Sequence, residues 1–148
     1  DRNKRNDIRK TSEKGMYIEY ISFFLSTYLR RGDKMSEIFE FKEAVLTIHL
    51  PQELDHPQSD RIRKETDRIM SRTYIKKIIF DFENTEFMDS SGIGLIMGRY
   101  RALGMGQKCI AAVNVDRYMD KLLHLSGVHR YMEIQKKIEE GGHYGKDE

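Results

Sequence analysis

From Met35 onward the chain alternates short apolar runs with stretches of helical periodicity. Residues 37–41 and 44–50 are apolar-rich runs separated by Lys42-Glu43, a pattern that predicts a hairpin. Pro51 and Pro57 bracket an expected loop, Gln52-Glu53-Leu54-Asp55-His56. Beyond it Ile62, Thr66, Ile69 and Met70 fall on one helical face, with Ser59 or Asp60 as the expected N-cap. Residues 77–82, Lys-Ile-Ile-Phe-Asp-Phe, read as a central strand. Ile93, Ile96, Met97 and Tyr100 mark a second helix, which Gly104 and Gly106 end. Residues 109–113 read as another buried strand. A third helix then carries Val115, Tyr118, Met119, Leu122 and Leu123 on one face, with Ser126-Gly127 as its stop. Residues 131–134 predict a last short strand, and a polar tail follows from Gly141. Strands alternating with helices over this length predict a small α/β domain whose sheet is covered mainly on one side.

The first 34 residues follow another pattern. A charged stretch, residues 1–14, precedes an apolar one in which Ile18, Ile21, Leu25 and Tyr28 recur at helical spacing. That stretch is shorter than the roughly 20 apolar residues of a membrane span, and Glu19 interrupts it. Arg30-Arg31 stands just before Met35, and two arginine codons can spell a purine-rich ribosome-binding sequence. The expected organisation is therefore an N-terminal extension over 1–34, read as translated leader or artefact, a domain over 35–140 and a tail over 141–148.

Charge supports that division. The 148 residues carry a formal net charge of +2, yet residues 1–34 hold nine Lys/Arg against five Asp/Glu, and the remainder 17 against 19. The domain is mildly acidic, so bulk electrostatics give no case for direct nucleic-acid binding. The single Cys109 can form no internal disulfide and builds no metal cage.

Candidate chemistry concentrates in Phe87-Met88-Asp89-Ser90-Ser91-Gly92-Ile93-Gly94, between a central strand and a helix start. The first turn of a helix leaves backbone N–H groups unpaired and carries partial positive charge, so a hydroxyl there is exposed and a phosphate on it finds donors nearby. Gly92 and Gly94 leave room for another protein to approach. The same residues also suit plain N-capping and a tight turn. Enzyme signatures are missing: neither serine has a glycine two places before it, as a nucleophile elbow requires, and no Gly-x4-Gly-Lys-Ser/Thr loop occurs. The histidines (His49, His56, His124, His129 and His143) form no i, i+4 pair, and His49 reads as a structural histidine within a strand. Arg99 and Arg101 read as solvated charges flanking the second helix's apolar stripe. No catalysis, cofactor or metal is expected.

The segment Phe87-Met88-Asp89-Ser90-Ser91-Gly92-Ile93-Gly94-Leu95-Ile96-Met97-Gly98-Arg99-Tyr100 resembles the signature of bacterial anti-sigma factor antagonists of the STAS family, the sporulation members above all. Glu53-Leu54-Asp55-His56 and Leu122-Leu123-His124-Leu125-Ser126-Gly127 agree in order and spacing, and the likeness runs from about Met35 to Ile138. The resemblance implies a STAS fold and a partner-switching role in the cytoplasm, away from any membrane. Ser90, directly after the Asp, is the implied phosphoacceptor. Asp55, Asp89, Ser91, Gly92 and Gly94 are the implied partner-binding residues. The implied partners are an anti-sigma factor with serine kinase activity, which uses ATP and Mg²⁺, and a resetting serine phosphatase. The competing expectation is a STAS module that scaffolds a complex or binds a small ligand without being phosphorylated. Pro51 and Gln52 depart from the Thr-Gly that commonly precedes the Glu-Leu-Asp loop, so the loop's backbone is expected to differ.

Overall fold

Burial alternates along the second strand as a one-sided sheet requires. In the computed structural model, which describes residues 36–138, Leu46 and Ile48 are buried while Val45, Thr47 and His49 between and beside them are half-buried. Five strands form the main sheet in the order β1 (Phe39–Lys42), β2 (Val45–His49), β4 (Lys77–Asp81), β6 (Ile110–Val115) and β7 (Glu133–Lys136). β1 is antiparallel to β2, with Lys42 opposite Val45, and every other pair is parallel. The hairpin turn is made by Glu43 and Ala44, both at positive φ, as a tight two-residue connection demands.

Three helices connect the parallel strands: α1 (His56–Arg72), α2 (Ser90–Ala102) and α3 (Arg117–Leu125). The sheet advances in one direction from β2 to β7, so right-handed crossovers place all three on one face. Ile62 and Ile69 of α1, Leu95 and Ile96 of α2, and Met119 and Leu123 of α3 join the strands in a single core with Phe80 at its centre. The expected small mixed sheet covered on one side is the observed architecture.

Three boundaries differ from the sequence reading, each for a local reason, and one residue differs in exposure. The cap of α1 is Asp55, not Ser59 or Asp60, because Pro57 sits in the helix's first turn, where its missing N–H costs nothing. Val115 belongs to β6 and Asp116 caps α3, accepting from Met119 N at 2.8 Å. Tyr118, expected on the apolar face of α3, is half exposed. Tyr131 ends a 3-10 turn (Val128–Tyr131), so the last strand starts at Glu133. Gly127 takes φ 81°, the left-handed conformation that ends α3 cleanly. The expected N-terminal helix over 16–29 and the polar tail lie outside the described residues.

Candidate functional site

Two very short strands build the site. β3 (Glu53–Leu54) and β5 (Phe87–Met88) pair in parallel, Glu53 opposite Phe87 and Leu54 opposite Met88. The pairing is tied off by Asp89 N donating to Leu54 O at 3.3 Å, and by Glu86 N and Phe87 N both donating to Gln52 O. Gln52 also donates through its side chain to Glu86 at 2.7 Å, so the Pro51-Gln52 variant of this loop is anchored from across the sheet. Each strand runs directly into a helix. Parallel pairing therefore sets the N-termini of α1 and α2 side by side, with both partial positive ends on one surface.

Asp55 and Asp89 cap these two helices in the same manner. Asp55 Oδ1 accepts from Gln58 N at 3.1 Å, and Asp89 Oδ1 accepts from Ser91 N at 2.8 Å. Each such cap contributes about 1 kcal/mol to its helix. Both carboxylates are half-buried and stay next to the surface the helix ends create.

Ser90 is the first residue of α2, fully on the surface, and its hydroxyl bonds to no described residue. Ser91 is half-buried and engaged: its Oγ lies 3.3 Å from His56 Nδ1 on the neighbouring helix. The two adjacent hydroxyls thus differ in both access and partner. His56, Ser59, Asp60, Arg63, Ser91 and Gly94 line an open cleft of about 180 Å³ between the helices. Arg63 is held there by Asp60 at 2.6 Å, and Ser59 is buried with an unpaired hydroxyl.

The two glycines do different things. Above Gly94 the space is open, as the expected approach of a partner needs. Gly92 is buried, and a Cβ there would lie 2.4 Å from Met88 Cγ and 2.9 Å from Leu54 Cδ2. Its small size serves the packing of α2 on the β3–β5 pair, an internal reason the sequence reading did not give.

His56 is the site residue that sequence reasoning missed. Its neighbour Ser91 is 35 positions away, and only the two-residue pairing of β3 with β5 brings them together. His49, in contrast, is the structural histidine expected. Its Nδ1 lies 2.7 Å from Asp81 Oδ2 and its Nε2 3.3 Å from Glu40. Burial opposes the charge on His49, but hydrogen bonds to Asp81 and Glu40 outweigh it and raise the pKa above its ordinary value. Burial likewise works against the Asp81 carboxylate, yet Asn114, the Glu83 amide and His49 hold its pKa below the usual range. Arg99 overturns its expectation as a solvated charge: it is buried and points at α1. Among the described residues no cluster of His, Cys, Asp and Glu is arranged to hold a metal, and no helix is long and apolar enough to cross a membrane.

One sheet with a two-strand annex presenting adjacent helix ends is the architecture of a known family. The chain belongs to the STAS domain family, whose model matches residues 38–141. It is 36% identical over 95 residues to an anti-sigma F factor antagonist from Paenibacillus polymyxa, covering 64% of this chain and 81% of that one. Its fold matches the structure of the anti-sigma factor antagonist SpoIIAA in its unphosphorylated form, with a TM-score of 0.59 and 30% identity over 67% of this chain and 87% of that one. The phosphorylated form of the Bacillus cell fate determinant SpoIIAA matches with a TM-score of 0.54 and 31% identity, over 67% of this chain and 90% of that one.

Proposed function

We propose that this chain is an anti-sigma factor antagonist working by partner switching in the cytoplasm. Unmodified, the surface formed by Asp55, Asp89, Ser90 and Gly94 docks an anti-sigma factor, which lets go of its sigma factor. That anti-sigma factor is also a serine kinase. It transfers the γ-phosphoryl group of Mg²⁺-bound ATP to Ser90, the complex separates, and a serine phosphatase restores the binding form. The chain itself catalyses nothing.

The single observation that supports this reading most is the state of Ser90. Its hydroxyl is exposed and, among the described residues, unengaged at the first residue of α2, directly after a capping aspartate, on the surface where two helix N-termini meet. The likeness to antagonists named for sigma F agrees with it. The test is intact-mass measurement after incubation with the cognate kinase and ATP. Wild type should gain one phosphoryl group, and Ser90→Ala far less over the same time. An unmodified wild-type chain would refute the switching reading and favour the scaffold or small-ligand alternative.

A further inference from the structure

We propose that His56 is a specificity-determining residue: it engages the Ser91 hydroxyl so that phosphoryl transfer favours Ser90. The inference rests on the switching function proposed above and deepens it.

Two adjacent serines at the start of one helix offer a kinase two chemically equal acceptors. Nothing in the local sequence separates them, since both follow the same capping Asp89 within two positions. The difference comes from α1. His56 is the first residue of that helix and is exposed, and its Nδ1 stands 3.3 Å from Ser91 Oγ. With the ring proton on Nε2, the Ser91 hydroxyl donates to Nδ1; with the imidazolium, Ser91 accepts. In either state the Ser91 oxygen is drawn toward the cleft between the helices, whereas Ser90 stays outside it. Asp89 fixes the register of both, because its carboxylate holds Ser91 N at 2.8 Å.

Transfer needs an acceptor oxygen in line with the leaving group. The Ser90 oxygen bonds to the γ-phosphorus of ATP, the bond from that phosphorus to the bridging oxygen breaks, and ADP leaves with the electron pair. The hydroxyl proton passes to a base of the kinase. Ser91 could take the same part only after its contact with His56 is broken, which costs about a hydrogen bond's net contribution and corresponds to roughly a tenfold bias.

The experiment maps phosphate by tandem mass spectrometry after incubation of the full chain with the cognate kinase and ATP. The readout is the ratio of Ser91 to Ser90 product, in which overall docking strength cancels because both products arise from one complex. Wild type should be modified on Ser90. His56→Ala should raise the Ser91 share about tenfold, the factor argued above. His56→Asn, whose carboxamide occupies the position of Nδ1, should restore the wild-type ratio. Ser90→Ala should take phosphate on Ser91 about tenfold more slowly than Ser90→Ala with His56→Ala. Thermal melts should coincide, since His56 is outside the core. Exclusive Ser90 modification of His56→Ala, with the double variant unmodified, overturns the role of His56 and leaves the switching function standing. Wild type modified mainly on Ser91 overturns the inference. No modification of any variant or of wild type overturns both.

Discussion

Arg99 of α2 reaches Asp67 of α1, Nη1 to Oδ1 at 2.5 Å, while the guanidinium also donates to Thr66 Oγ1 at 3.1 Å. Arg99 is only 4% exposed, but half of the Asp67 side chain faces water. The pair clasps the two helices whose N-termini form the docking surface, two to three turns away from that surface.

The clasp's two ends should not be equivalent. Removing Asp67 leaves a buried guanidinium still bonded to Thr66, with water close by, so Asp67→Ala should cost about 1 kcal/mol. Arg99→Ala removes the buried stem as well and should cost about 2–3 kcal/mol. Arg99→Met, which keeps the volume, should fall between wild type and Arg99→Ala. Urea unfolding of the three variants checks this order, and equal losses for Asp67→Ala and Arg99→Ala would contradict it.

Gly92→Ala should destabilise by about 1–3 kcal/mol through overpacking, because the new methyl meets Met88 Cγ and Leu54. Trimming the neighbour should recover part of it. Met88→Ala is costly alone, yet in the Gly92→Ala background its added cost should shrink. A double-mutant cycle in denaturant measures the coupling, and additive effects would show that the contact is absent.

Stability should fall as pH rises above the ordinary histidine value because of His49. Its folded pKa is raised, so the stabilisation is complete below the unfolded value of about 6.5 and is lost as pH climbs through the folded value. Asp81 works in the opposite direction: its pKa is depressed, so its contribution holds above about 3.9 and is lost as pH drops through the folded value. The His49 side chain is 32% exposed, which keeps the slope shallow. His49→Gln should flatten the decline of the urea midpoint above the ordinary histidine value of about 6.5. An unchanged slope would rule out His49 as its source.

Phosphorylation of Ser90 should act through charge and leave the fold intact. It adds about −1.5 to −2 charges beside the Asp89 carboxylate, and the adjacent helix ends can bear that charge in the free protein. In a docked complex the group must also be desolvated, and like charges at an interface cost several kcal/mol. Ser90→Asp should therefore bind the anti-sigma factor less tightly than wild type while melting within a few degrees of it. Ser90→Ala should bind and remain bound with ATP present. Calorimetry decides: equal affinity for wild type and Ser90→Asp rejects the electrostatic account, and a collapsed melt indicates a conformational one.

The helices and the main strands were legible because their apolar positions repeat at 3.6 and 2. Ile62, Thr66 and Ile69, for example, are buried on one face of α1 as their spacing requires. The helix start beneath Asp89 was equally legible from its residue types. The β3–β5 pair was not, since two residues are too few to carry a period. That one omission hid the meeting of His56 with Ser91 and the internal role of Gly92. Arg99 was misread for a similar reason: its partner Asp67 lies on another helix, and no spacing within α2 points to it.

β6 carries one more residue than its neighbour between Ala112 and Val115, where Ala112 faces Ile134 and Val115 faces Lys136. Asn114, at φ 55°, takes up the extra length, and its amide donates to Asp81 Oδ1 at 2.9 Å while Val115 returns to the core. Deleting Asn114 would restore a regular ladder and remove the amide that holds Asp81 Oδ1, leaving Asp81 to His49 and the Glu83 amide. One residue of extra length in this strand therefore reaches the acid–base behaviour of the Asp81–His49 pair, although by length alone it would look like the least consequential feature of the sheet.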